Sequence, residues 1–326
     1  MTVQCSVVLP AYNESAGLIP LVDRIVETLG PSQWSFEVIL VNDGSGDDTW
    51  SVIRQLAEKY SQVKGISFPR NFGHQLALHA GIKHSSGETI ALMDSDGQDP
   101  PELLPRMFQL IEAGHDVVNC VRRGRKENWV KRLCYYLFYR FYNFLVPFEI
   151  AKDSGDFCAM NRRTRDILSN TTQHTPFLRG LRSWAGGKQV DLPYERDARF
   201  SGQPKYRFRH LFLLALNGIT SFSKIPLRIS IMVGLAFSAL SLFYAVLVVY
   251  LKLFTDVLEG YTGWASLAFL VSFLGGAILT VLGIIGEYLG YIFEAVRGIP
   301  PFLISETIGF GEAAVTPEKK VSPHAE

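Results

Sequence analysis

Two aspartates separated by one residue, Asp94 and Asp96, directly follow the apolar run Ile90-Ala-Leu-Met93. Two carboxylates that follow a buried strand can bind a divalent cation, which in turn can bridge two phosphates and stabilise the charge of a leaving group. Further along, Gln98 and Asp99 could add oxygen ligands or cap the helix that starts near Pro100-Pro101. The pattern therefore predicts a metal site that holds a phosphorylated ligand.

Polar residues also follow two other apolar runs. The first run ends in Pro10-Ala-Tyr-Asn-Glu14, and the second ends in Asn42-Asp-Gly-Ser-Gly-Asp-Asp48. Taken separately, these segments could be a helix cap and a turn. Ligands of open α/β sheets bind beyond the carboxyl ends of the strands, so together the segments predict one acidic cleft.

Short β-rich runs alternate with helical patterns over the first third of the chain. Strands are predicted at 6–9, 36–41, 89–93 and 116–121, and helices at 16–29, 48–60, 73–84 and 101–113. The strands are continuously apolar, which is typical of a parallel sheet buried on both faces. The alternation predicts an open, Rossmann-like α/β fold.

Two later segments are long and uncharged. Neither 229–250 nor 260–286 contains Asp, Glu, Lys or Arg, and at 1.5 Å per residue each exceeds the roughly 30 Å hydrocarbon core of a bilayer. Two buried helices of a soluble core remain the alternative. We divide the chain into a cytoplasmic α/β domain (1–204), an interfacial amphipathic helix (205–225), a two-span transmembrane domain (226–300) and a flexible tail (301–326).

The charge pattern predicts where the protein acts. The net charge is only +1, so the composition indicates no nucleic-acid partner. The N-terminal residues lead straight into a strand, which favours a cytoplasmic α/β domain. Arg209, Lys224 and Arg228 precede the first apolar run and Arg297 follows the second, so we expect a multi-pass protein of the cytoplasmic membrane with both termini in the cytoplasm.

Several common nucleotide and hydrolase motifs do not occur. No G-x-G-x-x-G follows the first strand, and the sequence contains neither G-x-x-x-x-G-K-[ST] nor G-x-S-x-G. These absences argue against a Rossmann dehydrogenase, a P-loop NTPase and an α/β-hydrolase, and they leave a nucleotide held through a metal ion.

Four motifs in order resemble the signature of the family 2 glycosyltransferases. They are Val7-Val-Leu-Pro-Ala-Tyr-Asn-Glu14, Val41-Asn-Asp-Gly-Ser45, Arg70-Asn-Phe-Gly-His74 and Asp94-Ser-Asp-Gly-Gln-Asp-Pro-Pro101. More closely, the chain resembles polyisoprenyl-phosphate glycosyltransferases, which include bacterial undecaprenyl-phosphate glucosyltransferases and dolichyl-phosphate mannose synthase. The resemblance covers about 3–300. It implies a GT-A fold, an inverting mechanism, a nucleotide-sugar donor and Mg²⁺ or Mn²⁺.

The resemblance also implies roles for individual residues. Asp94, Asp96 and Gln98 would contact the metal and the diphosphate, with Asp96 counted as catalytic. The nucleotide-sugar site would contain Pro10, Tyr12, Glu14, Asp43 and His74 together with Asp94. Pro10, Tyr12 and Glu14 would line the base and ribose, and Asp43 would hold the base edge.

The same resemblance places the acceptor site. Arg122, a catalytic candidate as well, would bind the acceptor phosphate together with Arg199, Lys205 and Tyr206. Pro204 stands where the family has serine, which removes one hydroxyl contact. Asp156 falls where the family has an acidic residue that faces the acceptor, and it could act as a base or orient an arginine.

We therefore predict a membrane-anchored enzyme that transfers a hexose, glucose from UDP-glucose, to undecaprenyl phosphate or a similar polyisoprenyl phosphate. A cationic pocket close to the membrane suits a lipid phosphate. The glycines of the second apolar run favour a homo-oligomer. The alternatives are a processive polysaccharide synthase, for which Q-x-x-R-W is missing, and a non-catalytic membrane scaffold or flippase component.

Overall fold

The computed structural model describes residues 3–122, 154–171, 176–195, 225–254 and 263–310. The chain divides into two compact units. We call the first the sheet unit (Met1–Tyr135, Phe148–Leu211 and Ile299–Glu326) and the second the helical unit (Tyr136–Pro147 and Phe212–Gly298).

A mixed β-sheet forms the centre of the sheet unit. Its strands in the described residues are β1 (Cys5–Ala11), β2 (Phe36–Asn42), β3 (Val63–Ser67), β4 (Thr89–Leu92), β5 (Val117–Arg122), β6 (Ser154–Asn161), β7 (Gln189–Tyr194) and β8 (Glu306–Ile308). They are ordered β7-β5-β6-β4-β1-β2-β3-β8. Most neighbouring pairs are parallel, but β6 is antiparallel to both β4 and β5, and β8 is antiparallel to β3.

Helices connect the strands. They are α1 (Ser15–Leu29), α2 (Thr49–Lys59), α3 (His74–His84), a 3₁₀ turn (Pro101–Leu103) that leads into α4 (Leu104–Glu112), α5 (Arg162–Ser169) and α6 (Leu178–Ala185). The open α/β fold is confirmed, because the four predicted strands are present and three of the four predicted helices agree within one residue at each end. The fourth, predicted at 101–113, consists of the 3₁₀ turn followed by α4. The four predicted strands all run in the same direction, but the pattern missed β3, β6, β7 and β8, and the antiparallel β6 and β8 make the sheet mixed.

Burial explains why the apolar runs became central strands. Every residue of β1 and β2 is buried, as expected for strands covered on both faces. Gly81 of α3 lies so close to β1 that a Cβ atom there would approach Val8 Cγ1 to 2.2 Å. This close contact fixes α3, whose first residue is His74, against the sheet.

Residues after 298 return to the sheet. We call 299–310 the C-terminal strap: its Phe302 ring stacks on Phe68 at 5.3 Å between centroids, and β8 pairs with β3. The Trp50 indole N–H donates to Glu306 at 2.9 Å, and Arg54 forms an ion pair with the same carboxylate. The expectation of a flexible tail from 301 is therefore wrong for 301–310, because aromatic and charged contacts order this segment; 311–326 lie outside the described residues.

Two long apolar helices lie in the helical unit. They are α7 (Ile225–Phe254) and α8 (Trp264–Val296), with stretches long and apolar enough to cross a membrane at Leu227–Val248 and Phe273–Val296. Phe237 and Phe273 meet edge to face at 5.2 Å. The predicted interfacial helix lies outside the described residues apart from Ile225.

A buried carboxylate links the neighbouring strands β1, β2 and β3. Glu37 of β2 is 1% exposed, and its Oε1 accepts hydrogen bonds from Ser6 Oγ at 2.6 Å and from Ser86 N at 2.6 Å. Lys64 Nζ of β3 lies 2.6 Å from Oε2. Burial raises the pKa of Glu37, but Lys64 and the serine hydrogen bonds outweigh it and hold the pKa below its ordinary value.

We predict that Glu37→Gln lowers the free energy of unfolding by about 3 kcal/mol at pH 7, because it leaves Lys64 without its partner. The carboxylate's contribution is complete above its ordinary pKa of about 4.3 and is lost as the pH falls through the lowered pKa. The difference in thermal midpoint between wild type and variant should stay constant from pH 7 to about 4.3 and shrink below it. Glu27→Gln, at an exposed position, serves as the control. A difference in thermal midpoint between wild type and Glu37→Gln that stays constant below pH 4 would contradict this role for Glu37.

Candidate active site

The segment after β4 alternates between buried and half-buried side chains. Ser95 and Asp99 are buried, whereas Asp94, Asp96 and Gln98 are partly exposed. Ser95 Oγ donates to the carbonyl oxygen of Pro10 at 2.7 Å, which anchors the segment to β1. The alternation leaves the three predicted metal ligands on the accessible side of an anchored loop.

A buried carboxylate lies beside this loop. In the antiparallel pair of β4 and β6, Leu92 lies opposite Cys158, and this register brings Asp156 to the side of Asp94. Arg179 of α6 binds both oxygens of Asp156, with Nε 2.9 Å from Oδ1 and Nη2 3.2 Å from Oδ2. His74 Nε2 lies 3.2 Å from Asp156 Oδ2 and 3.5 Å from Asp94 Oδ1.

Gln75 completes this cluster. Its amide nitrogen donates to Asp156 Oδ2 at 3.2 Å, and its amide oxygen accepts from the backbone N–H of Leu178, the first residue of α6, at 3.2 Å. The side chain therefore connects the buried carboxylate to the helix that carries Arg179. We call Asp156, Arg179, His74 and Gln75 the Asp156 cluster.

Electrostatics keep Asp156 ionised. Burial raises the pKa of Asp156, but Arg179 and His74 outweigh it and hold the pKa well below its ordinary value. Burial lowers the pKa of His74, but the hydrogen bond and charge of Asp156, helped by Asp94, raise that pKa to about 9. A carboxylate with so low a pKa is a weak proton acceptor.

A chain of hydrogen bonds connects Arg122 to residues 94–99 after β4, which we call the Asp94 loop. Arg122 Nε donates to Tyr194 Oη at 3.2 Å, and Tyr194 Oη donates to Asp99 Oδ1 at 2.7 Å. Asp99 Oδ2 accepts from the backbone N–H of Asp94 at 3.4 Å. Asp99 is fully buried, so it stabilises the loop from the interior of the sheet unit and is not accessible from the cleft.

The loops after β1 and β2 hold each other. Asn13 adopts the left-handed φ of 55°, its N–H donates to Ser45 Oγ at 3.0 Å, and its side-chain oxygen accepts from Gly46 N at 2.9 Å. Glu14 N donates to Thr49 Oγ1 at 3.0 Å. The Tyr12 side chain next to these contacts is 39% exposed, as a group that stacks on a ligand requires.

Asp43 binds the backbone of the loop that precedes α3. Its Oδ1 accepts from Phe72 N at 2.7 Å and its Oδ2 from Gly73 N at 3.0 Å. Burial raises the pKa of Asp43, and these two amides offset only part of that effect. The carboxylate therefore holds the loop that leads into His74, which the motif alone did not indicate.

The donor set suits a hard cation bound together with a substrate. Among the residues that the structure describes, no three His, Cys, Asp or Glu side chains converge to hold a metal. Asp94 and Asp96 offer two accessible carboxylates, and Mg²⁺ typically takes one or two carboxylates and completes its coordination with substrate phosphates and water. The residues present thus fit a metal that arrives with a diphosphate.

The structure brings together most of the predicted site residues. Asp94, Asp96, His74 and Asp156 share one edge of the sheet, and Arg122 joins them through Tyr194 and Asp99. Arg199, Lys205 and Tyr206 lie outside the described residues. Sequence reasoning missed Arg179 and Tyr194, because only the packing of α6 against β6 and the pairing of β7 with β5 place them at the site. It also missed Gln75 of α3, although that residue directly follows the predicted His74.

Comparison with known proteins identifies the family. A model described as glycosyl transferase family 2 matches residues 6–168. The uncharacterized glycosyltransferase YkcC of Bacillus subtilis is 37% identical over 308 residues, which cover 94% of this chain and 95% of that protein. The chain belongs to glycosyl transferase family 2. The Asp94 loop, His74, Gln75 and Asp156 all fall within the residues that match the family model.

Other relatives of this family 2 glycosyltransferase carry more specific names. The SfII prophage-derived bactoprenol glucosyl transferase of Shigella flexneri is 34% identical over 304 residues, which cover 93% of this chain and 97% of that protein. Among solved structures, glucosyl-3-phosphoglycerate synthase of Mycobacterium tuberculosis, crystallised with Mn²⁺, UDP and phosphoglyceric acid, matches with a TM-score of 0.48 and 24% identity, covering 67% of this chain and 76% of that one.

We predict that Tyr194→Phe destabilises the sheet unit by about 1 to 3 kcal/mol, because it leaves the buried Asp99 oxygen without its donor. The sugar-transfer rate should fall about tenfold as Arg122 and the Asp94 loop lose their connection. The thermal midpoint and kcat measure the two effects. Tyr60→Phe, which removes a hydroxyl from Asp23 instead, is the matched control, and a Tyr194→Phe enzyme with wild-type kcat would contradict the connection.

Proposed function

We propose that this family 2 glycosyltransferase moves glucose from UDP-glucose to undecaprenyl phosphate, or another polyisoprenyl phosphate, with inversion at the anomeric carbon. The observation that carries the proposal is the edge of the sheet where Asp94 and Asp96 lie beside the Asp156 cluster. The relatives named bactoprenol glucosyl transferases, aligned over nearly the full chain, support the sugar and the lipid acceptor.

The donor would occupy the loops after β1, β2 and β4. Tyr12 and Glu14 would line the base and ribose next to Pro10. Asp43 would contact the edge of the base while it also holds the loop that leads into His74. Asp94, Asp96 and Gln98 would hold Mg²⁺ or Mn²⁺ together with the diphosphate. When bound, the metal supplies positive charge that stabilises the departing UDP.

The acceptor needs cations rather than a strong base. A phosphate monoester with a second pKa near 6 is largely dianionic at pH 7, so its oxygen can attack the anomeric carbon without prior deprotonation. The new bond joins that oxygen to the anomeric carbon, and the bond from the same carbon to UDP breaks with its electron pair leaving on UDP. Arg122, Arg199, Lys205 and Tyr206 would bind the acceptor phosphate.

Asp156 is best assigned a positioning role. Its low pKa makes it a poor general base, and it binds both nitrogens of the Arg179 fork in a geometry that fixes the guanidinium. Arg179 and His74 thus present ordered positive charge beside Asp94, where the phosphates of donor and acceptor must meet. Of the two roles open for Asp156, we therefore favour the orientation of an arginine.

The helical unit would anchor the enzyme. The apolar stretches of α7 and α8 suit two membrane spans, with the sheet unit and both termini in the cytoplasm, where nucleotide sugars occur. The glycines of α8 would let copies of the chain associate in the membrane.

The first test is transfer of label to the organic phase, with full-length protein in detergent, Mn²⁺, undecaprenyl phosphate and a panel of labelled UDP- and GDP-sugars. We expect label from UDP-glucose only. EDTA and Asp96→Asn should each reduce transfer by at least about 100-fold, because the leaving diphosphate loses its charge stabilisation. Asp191→Asn, an exposed aspartate of β7, is the matched control and should keep wild-type activity.

Label transferred from another sugar nucleotide would show that the donor is not UDP-glucose but would leave the proposed reaction type unchanged. Absence of label in lipid with every donor, from protein that still binds UDP, would contradict a lipid-phosphate acceptor. Activity that survives both EDTA and Asp96→Asn would contradict the metal.

We further predict that Asp156→Asn and Arg179→Gln each lower kcat by about 100-fold, and that the double variant is no slower than either single one. Two groups that act as one unit show this non-additivity. Steady-state rates at saturating donor and acceptor measure it. If Asp156 acts as an independent base, Arg179→Gln should retain most of the rate and the two losses should multiply.

A further inference from the structure

A cleft lies between the C-terminal strap and the loop that precedes α3. It has a volume of about 420 Å³, which is within the range of small-ligand sites. Arg70, Phe72 and Leu76 form one wall, and Ile299, Pro300, Pro301 and Leu303 form the other. Apart from Arg70, every lining side chain is apolar.

The loop that lines the cleft leads directly into the candidate active site. The backbone amides of Phe72 and Gly73 donate to Asp43, and the next residue, His74, lies beside Asp94 and Asp156. Four residues of chain span at most about 14 Å, so the backbone at Arg70 lies within that distance of the backbone at His74. A ligand in the cleft therefore starts close to the reacting groups.

Gly44, in the loop after β2, packs against the loop that precedes α3. Gly44 has a φ of +63°, and a Cβ atom there would approach the backbone of Arg70 to 2.2 Å. The guanidinium of Arg70 lies over the ring of Phe72 at 4.7 Å from its centroid. The cationic wall of the cleft is thus ordered by the same loop contacts that order the donor side.

The opposite wall begins where the second apolar helix ends. Ile299 comes three residues after Val296, the last residue of α8, and Leu303 is 54% exposed although its side chain is fully apolar. An isolated exposed leucine would be ordinary. Here the exposed apolar residues of the strap line the same cleft as Phe72 and Leu76, which indicates a surface that an apolar ligand covers.

We propose that this cleft binds the isoprenyl units next to the phosphate of the lipid acceptor, with Arg70 favouring the anionic end. The inference rests on the proposed function and adds a specificity site for the acceptor. Charge supports this occupant, because an apolar chain that carries a phosphate matches an apolar cleft with one cationic wall. The exposed apolar side chains of Ile299 and Leu303 support it as well, since they offer the kind of surface that an isoprenyl chain covers.

The test uses Leu303→Asp and Arg70→Gln in the full chain, with Ile19→Asp as the matched control. Ile19 is 40% exposed on α1, so this control places the same charge at a similarly exposed apolar position. Transfer is measured with undecaprenyl phosphate and with short, water-soluble farnesyl phosphate. We expect KM for both acceptors to rise about tenfold in Leu303→Asp, several-fold in Arg70→Gln and not at all in Ile19→Asp.

A second measurement does not depend on turnover. Farnesyl phosphate binding, followed by calorimetry without donor, should weaken in Leu303→Asp and Arg70→Gln, whereas UDP-glucose affinity and the thermal midpoint stay at wild-type values. Inorganic phosphate, used as a probe without a chain, should bind Leu303→Asp as it binds the wild type.

Three results would overturn the inference. KM and affinity for farnesyl phosphate that remain at wild-type values in both variants would show that the cleft takes no part in acceptor binding, while the proposed function stands. An effect confined to undecaprenyl phosphate, absent with farnesyl phosphate, would show that the cleft does not contact the isoprenyl units next to the phosphate. A wild-type enzyme that transfers sugar to no polyisoprenyl phosphate would refute the proposed function and this inference together.

Discussion

The site depends on one buried carboxylate. Asp156 lies on an antiparallel strand that enters the sheet between β4 and β5, and it binds side chains from two helices. A buried charge is costly unless it is paired and hydrogen-bonded, so the packing of α3 and α6 on this edge of the sheet must satisfy it. Arg179, His74 and Gln75 do so, and the requirement fixes where positive charge lies relative to Asp94.

The balance of charge in the cleft follows from this pairing. The accessible carboxylates Asp94 and Asp96 attract a cation, whereas Arg179, His74 and Arg122 attract anions, and a glycosyl transfer from a nucleotide sugar to a phosphate involves both kinds of ligand. Buried groups hold the cations in place: Asp99 and Tyr194 hold Arg122, and Asp156 holds Arg179. Groups fixed in this way need little reorganisation when charge develops during transfer.

The loop 70–74 links the donor side to the C-terminal strap. Asp43 holds its amides, Gly44 packs against its backbone, and Phe302 of the strap stacks on Phe68 just before it. A segment that follows the second long apolar helix is thereby part of the sheet unit. The strap adds an edge strand through β8, so the last described residues contribute to the same fold as the first.

The local sequence determined the βαβ elements, the acidic loops and the two long apolar helices, because apolar periodicity and uncharged length depend on residues close together in the chain. Motifs also predicted roles for Asp94, Asp96 and His74, and the family resemblance predicted one for Asp156. Only the tertiary structure decided the direction of β6, the partners of Asp156 and the order of the strap. Arg179 is 23 residues from Asp156, Tyr194 is 95 from Asp99 and Glu306 is 256 from Trp50. Contacts at such separations arise from packing and strand register, which no local pattern of residues encodes.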